Sequence, residues 1–221
     1  MVLYINGKKI KEVGTHGLYF NGKAIKEAYL NGKKVYKFNS FTPNAMVVSQ
    51  AGDNVSRTVK LGKGVYEIVI TAGGGLGKFG AYNYAFYGQG GSGASIYGSI
   101  YVPKDTTITY YAGMDNQSAS SSAYGYSSYI AIGDTQILTA SGGQSGWDFG
   151  NHGGGGTATN NLSASNIENI SLKFVNGVAG GSGGTSVDPD GTWGEGGKAT
   201  GTSSDRGEVG RVAIRYLRYD K

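Results

Sequence analysis

Few residues of this 221-residue chain are of the types that carry out chemistry. There is no Cys, and the only imidazoles are His16 and His152, so neither a disulfide scaffold nor a structural zinc site is expected. His152 follows Asp148 by four residues, a pairing that could serve general acid–base catalysis. No nucleophile or orienting third group accompanies it, and an exposed loop histidine is the expected reading. Asp188, Asp190 and Glu195 resemble a fragment of a calcium loop, but their spacing departs from the EF-hand pattern, and they read as a solvated acidic turn. Gly75-x-Gly77-x-x-Gly80 and Gly88-x-Gly90-x-x-Gly93 formally match the dinucleotide fingerprint. Neither precedes a helical pattern whose N-terminus could hold a pyrophosphate, and chance matches are expected in so glycine-rich a chain. No Gly-Lys-Ser/Thr phosphate loop is present. The expectation is a protein that is not an enzyme, with no catalytic residues, no metal site and no cofactor.

The elements that would carry any function are set by an unusual composition. Of 221 residues, 41 are Gly, more than twice the usual share of roughly 7%. Collagen would require Gly at strict third positions and abundant Pro; here there are 3 Pro. Hydrophobic residues make up 38%, below the usual range of about 45–50%, so a large aliphatic core is not expected. No apolar run approaches the length of a membrane span, so no membrane insertion is expected. The first residues, Met1 to Gly7, carry no signal-peptide core, and Sec export is not expected.

Charge and glycine divide the chain in opposite ways. Residues 1–40 hold eight Lys (Lys8, Lys9, Lys11, Lys23, Lys26, Lys33, Lys34 and Lys37) against Glu12 and Glu27, with only 5 of the 41 Gly. The expected organisation is an attachment module at 1–39, a connector and first strand region at 40–64, and a glycine-rich domain at 65–221. Within the first unit, Leu3-Tyr4-Ile5-Asn6-Gly7-Lys8 recurs as Leu18-Tyr19-Phe20-Asn21-Gly22-Lys23 and, shortened, as Tyr29-Leu30-Asn31-Gly32-Lys33. Asn-Gly is the strongest two-residue hairpin signal, so three short hairpins are expected. Lysine on the solvent side of exposed strands is ordinary protection against edge pairing. The segment contains no Arg for bidentate phosphate contacts. A docking module is expected, and no nucleic-acid partner.

The remainder reads as all-β. Strands are expected at 65–71, 94–102, 107–111, 170–175 and 211–219, with a hairpin of 128–132 and 135–139 turning at Gly133-Asp134. Glycine tracts lie between them at 73–80, 88–93, 142–156, 180–184 and 191–201. Glycine can form an extended threefold helix without internal hydrogen bonds, and each amide and carbonyl must then bond laterally to a neighbour. The expected fold is a β/polyglycine II-type sandwich, held partly by backbone rather than by aliphatic side chains.

The succession from Val65 to Gly75, the tract reaching Gly93, Ile100-Tyr101-Val102-Pro103-Lys104, Thr107-Ile108-Thr109-Tyr110-Tyr111, Ser128 to Ala140 and Gly210-Arg211-Val212-Ala213-Ile214-Arg215-Tyr216 resembles the glycine-rich domains of tailed-phage tail and tail-fibre proteins. The tracts are similar to those of T-even-like fibre-tip adhesins. The resemblance spans about residues 65–219. It implies a sandwich of polyglycine-type helices in a virion tail or tail-fibre tip, made in the host cytoplasm. It also implies variable loops that meet a bacterial outer-surface receptor, either a membrane protein or a surface glycan. The N-terminal repeat does not resemble the attachment region of those adhesins. A tail-fibre or tail protein is the partner expected for it.

If the tracts are scaffold, recognition falls to the segments between them. The first carries Phe79, Tyr82, Tyr84, Phe86 and Tyr87; the second, from Met114, carries Tyr124 and Tyr126. The third carries Trp147 and Phe149, and the fourth, 188–195, carries Trp193. Tyr, Trp, Ser, Gly and Asn are the residues of adaptable binding loops, and Trp is a frequent binding hot spot. These ten aromatics are the candidate receptor-binding residues. The competing expectation is a structural or oligomerising tail component whose loops touch no receptor.

Overall fold

The computed structural model describes residues 44–79, 87–115, 124–146, 151–182, 184–200 and 203–219, with six short strands between residues 4 and 37. Those six are β1 (Tyr4–Ile5), β2 (Lys8–Lys9), β3 (Leu18–Phe20), β4 (Lys23–Ile25), β5 (Glu27–Leu30) and β6 (Lys33–Lys37). They pair antiparallel as β1–β2, β3–β4 and β5–β6, each pair flanking one Asn-Gly. The Asn-Gly turns themselves lie outside the described residues.

Two antiparallel sheets then face each other. Strands β7 (Met46–Ala51), β8 (Ser56–Leu61) and β9 (Gly64–Thr71) come first, followed by the short pair β10 (Lys78–Phe79) and β11 (Tyr87–Gly88). Next are β12 (Ser95–Val102), β13 (Thr106–Tyr111), β14 (Ser128–Ile132), β15 (Thr135–Ala140) and β16 (Ala158–Asn160). The chain closes with β17 (Glu168–Asn169), β18 (Lys173–Val175), β19 (Ala199–Thr200), β20 (Ser203–Ser204) and β21 (Arg211–Arg218). The first sheet runs β17-β12-β9-β21-β7, with β18 also on β12; the second runs β16-β15-β14-β13-β8. The fold is all-β.

Alternation along these strands builds the core. Tyr66, Ile68 and Ile70 of β9, Ile96 and Ile100 of β12, and Val212 and Ile214 of β21 meet Leu61, Ile108, Ile130, Ile137 and Leu138 of the other sheet. Tyr66 and Tyr216 pack edge to face at 5.3 Å, and the Tyr66 hydroxyl donates to the Gly62 carbonyl at 2.9 Å, so this buried phenol keeps a partner. The β14–β15 turn has a positive φ at Gly133 and none at Asp134, the glycine placement of a type II′ turn.

Two expectations are adjusted. Strands β7 and β8 are edge strands of the two sheets, so the sandwich begins at Met46, inside the segment expected as connector and first strand region. Of the strand expected at 170–175 only Lys173–Val175 (β18) forms; residues 170–172 are not strand and separate it from β17. The amides of Ile170 and Ser171 both donate to the Ser99 carbonyl, where the chain crosses Gly98. A Cβ at Gly98 would meet the Ser171 carbonyl, and its φ of 134° is one that side chains rarely adopt.

The register fixes a polarity. Thr71 pairs with Ser95 and Arg211, Arg211 with Ala51, and Ser95 with Val175. In the second sheet Tyr111 pairs with Ser56 and Tyr129, and Ala140 with Ser128 and Ala158. All these strand ends therefore lie at one end of the sandwich, and from that end the glycine tracts depart and return. Met46, the first residue of β7, pairs with Arg215 and so lies level with Glu67 near the middle of β9, and β7 runs from there towards that end.

Candidate functional site

Beyond the sandwich the two sheets merge into one laterally bonded layer. The amides of Gly73, Gly74 and Gly75 donate to the carbonyls of Tyr126, Glu208 and Gly91 at 3.0, 2.9 and 2.9 Å. Those of Gly91, Ser92 and Gly93 donate to Gln144, Val178 and Gly194 at 2.9, 2.9 and 2.8 Å. Three successive amides thus reach three different segments, the distribution produced by an extended threefold helix rather than by a twofold strand. Serine takes part as well: Ser92 Oγ accepts from the Val178 amide and Ser145 Oγ from the Leu76 amide. The tracts are ordered by backbone pairing, as the requirement that buried amides find partners demands.

Glycine is needed here for closeness. A Cβ at Gly73 would overlap the Met114 carbonyl, at Gly74 the Glu195 carbonyl, at Gly75 the Gln144 carbonyl and at Gly143 the Gly91 carbonyl. The two dinucleotide-like runs share this explanation: Gly75, Gly77, Gly90 and Gly93 are each closed in by neighbouring backbone, and Gly93 leads into β12 rather than a helix. Each lateral bond contributes a net ~0.5–1.5 kcal/mol, about what glycine's extra ordering entropy costs. The layer is therefore near balance by itself, and its anchorage to the aliphatic sandwich decides its stability. Ser128 is one such anchor: its hydroxyl donates to the Thr71 carbonyl at 2.7 Å and accepts from the Gly113 amide at 2.8 Å.

The expected binding segments take different places on this layer. Phe79 and Tyr87 are paired across β10 and β11, which lie against β19 and β20; Tyr82, Tyr84 and Phe86 between them are outside the described residues. Tyr124 and Tyr126 are exposed at 56% and 49%, and Tyr124 bridges to Gln144, on the strand of chain that leads towards Trp147. Trp147 and Phe149 are outside the described residues. His152 is exposed, but its Nδ1 accepts from the Gln89 amide at 3.1 Å. That bond makes the ring a clip between two tracts.

The fourth segment is elsewhere. Asp188 is buried, and its carboxylate receives Arg211 Nε at 2.9 Å, Arg211 Nη2 at 2.7 Å and the Thr71 hydroxyl at 2.5 Å. Trp193 lies over the Arg211 guanidinium at 5.6 Å. This segment thus folds back onto the row where β9 ends and β21 begins. Asp188 is accordingly not part of a solvated acidic turn but the buried half of an ion pair; Asp190, exposed, bonds the same arginine at 2.6 Å. Among the described residues no three of His, Asp and Glu gather into a group that could hold a metal ion.

One aromatic cluster was not anticipated. Tyr111 and Tyr129 stack at 5.2 Å, nearly parallel, on the outer face of the second sheet. The Tyr111 hydroxyl donates to Asn54 Oδ1 at 2.9 Å, which also receives the Met114 amide. Burial, then the neighbouring Tyr129, Tyr126 and Asp53, push the Tyr111 phenol above its ordinary range. Alternation in β13 and β14 carried the signal, since residues 109 and 111 oppose the core-facing 108 and 110. Beside it, the bidentate Arg57 hydrogen bonds chiefly hold the Asp53 carboxyl below the usual range. No protein-family model matches the sequence, and no curated protein matches it significantly.

Proposed function

We propose that this chain is a receptor-binding protein of a tailed-phage tail fibre, a non-enzymatic adhesin. Its N-terminal hairpins dock to a fibre or tail protein, and the outer turns of its glycine layer meet a bacterial surface receptor. The reading rests on one observation above all: the glycine tracts leave and rejoin the sandwich at a single end, the row of Thr71, Ser95, Arg211, Tyr111 and Ala140, which gathers the segments between them on one side of the sheets. The exposed Tyr124 and Tyr126, and the backbone-paired tracts that bracket residues 80–86, 116–123 and 147–150, support the same assignment. A layer of closely packed backbone is narrow and stiff, and stiffness lowers the ordering cost of binding through its loops.

The test is adsorption. Purified protein is assayed for binding to candidate host cells and for competition with phage, as wild type and as Tyr84→Ala with Trp147→Ala. The expected result is at least a tenfold loss of cell binding with an unchanged melting temperature. Unaltered binding together with failed particle assembly would favour a structural tail component instead.

A further inference from the structure

We propose that a depression on the outer face of the first sheet binds a single neutral sugar ring. Side chains there come in rows set by the β9–β21 register: Thr71 beside Arg211, Val69 beside Ala213, and Glu67 beside Arg215. The middle row is small and apolar, so a hollow of about 230 Å³ opens between the two arginines. Met46, 49% exposed, closes one side, and Pro189 and Asp190 overhang the other.

The polar groups around this floor come as donors beside acceptors. Arg211 Nη1 lies 2.6 Å from Asp190, and Arg215 Nη1 lies 3.5 Å from Glu67. Arg211 is held from behind by the fork to Asp188 and is only 14% exposed, so its outward face is fixed in advance. The pair Arg215–Glu67 is half exposed and loosely made, so turning it towards a ligand costs little. Among the lining residues two positive charges stand against two negative, and buried Asp188 adds a third carboxylate. A phosphate or carboxylate would face that surplus, and a cation would face two guanidiniums. A ring of hydroxyls suits both, because each hydroxyl donates to a carboxylate and accepts from an arginine, while the ring's C–H face covers Val69, Ala213 and Met46. The hollow is smaller than the roughly 300–1,000 Å³ of drug-sized sites, which limits it to one ring. This site does not depend on the receptor reading, since it lies on a sandwich face and not at the outer turns.

The experiment is an NMR titration of the full chain with glucose, galactose, mannose and N-acetylglucosamine, and with glucuronate and lysine methyl ester as charged controls. At least one neutral sugar is expected to shift the amides of Val69, Ala213 and Arg215, with Kd on the order of 1–10 mM, a normal range for so small a contact. Ala213→Phe fills the hollow and should abolish the shifts; Arg215→Ala, at a half-exposed side chain, should weaken binding at least fivefold and serves if the first variant unfolds. The proposal is overturned if no neutral sugar moves these amides, if a charged control binds as well or better, or if the shifts survive both substitutions. Cell adsorption by the loop variants reports separately on the receptor reading.

Discussion

Replacing Gly75 with Ala, and separately Gly154 with Ala, distinguishes a packed backbone lattice from a flexible glycine linker. At Gly75 the added methyl lands on the Gln144 carbonyl, with Ser145 N at 2.7 Å. Making room means moving the Gln144 backbone, whose carbonyl holds the Gly91 amide at 2.9 Å. Overpacking costs about 1–3 kcal/mol, and a buried amide left without its acceptor costs about 1–3 kcal/mol more. Against this, Ala lowers the unfolded-state entropy by ~0.4–1 kcal/mol. The expected net loss is therefore about 3 kcal/mol, a drop of roughly 6–12 °C in melting temperature for a domain of this size. At Gly154 the only atom of the described residues near the new methyl is Gln144 Oε1, at 3.4 Å at the end of a flexible side chain. That variant should be neutral or more stable by up to ~1 kcal/mol. Thermal and urea unfolding read both. Equal stability of the two variants would refute the argument that closeness is what requires glycine here.

Two further substitutions probe the flanks of the layer. Asp188→Ala removes the carboxylate that holds Arg211 and the Thr71 hydroxyl. Because Asp190 still pairs with the arginine, the loss should sit near the lower end of the ~3–5 kcal/mol typical of a broken buried pair, measured by urea unfolding. Asp53 has a folded pKa below its unfolded value, so its contribution is present above the unfolded pKa and fades as pH falls through the folded one. Unfolding curves of wild type and Asp53→Asn should differ at pH 7 and converge below about pH 4.

The sequence carried the strands plainly. The alternation of 65–71, 94–102, 107–111 and 211–219 and the Gly133-Asp134 turn are local signals, and the strands form where those signals lie. The break at 170–172 was not local: it follows from Gly98, 72 residues away from Ile170, letting the chain cross β12. Ser56–Leu61 alternates only weakly, and its place at a sheet edge comes from pairing with β13. For the candidate site, composition pointed to the aromatic segments but gave no means of telling that 188–195 turns back. That turn is set by Asp188 finding Arg211 and Thr71, contacts across 23 and 117 positions of sequence. The sugar-sized hollow was invisible for the same reason. Its walls come from β7, β9, β21 and the 189–190 loop, brought together only by register.

Amide hydrogen exchange across the glycine tracts tests the central claim most directly. Gly75, Gly91, Gly93, Gly143, Gly153 and Gly197, each donating to a carbonyl of a distant segment, should exchange at least a hundredfold more slowly than in an unfolded peptide, a protection of about 2.7 kcal/mol or more. Exchange of these six at unfolded-chain rates, while amides of β9 and β21 stay protected, would contradict it.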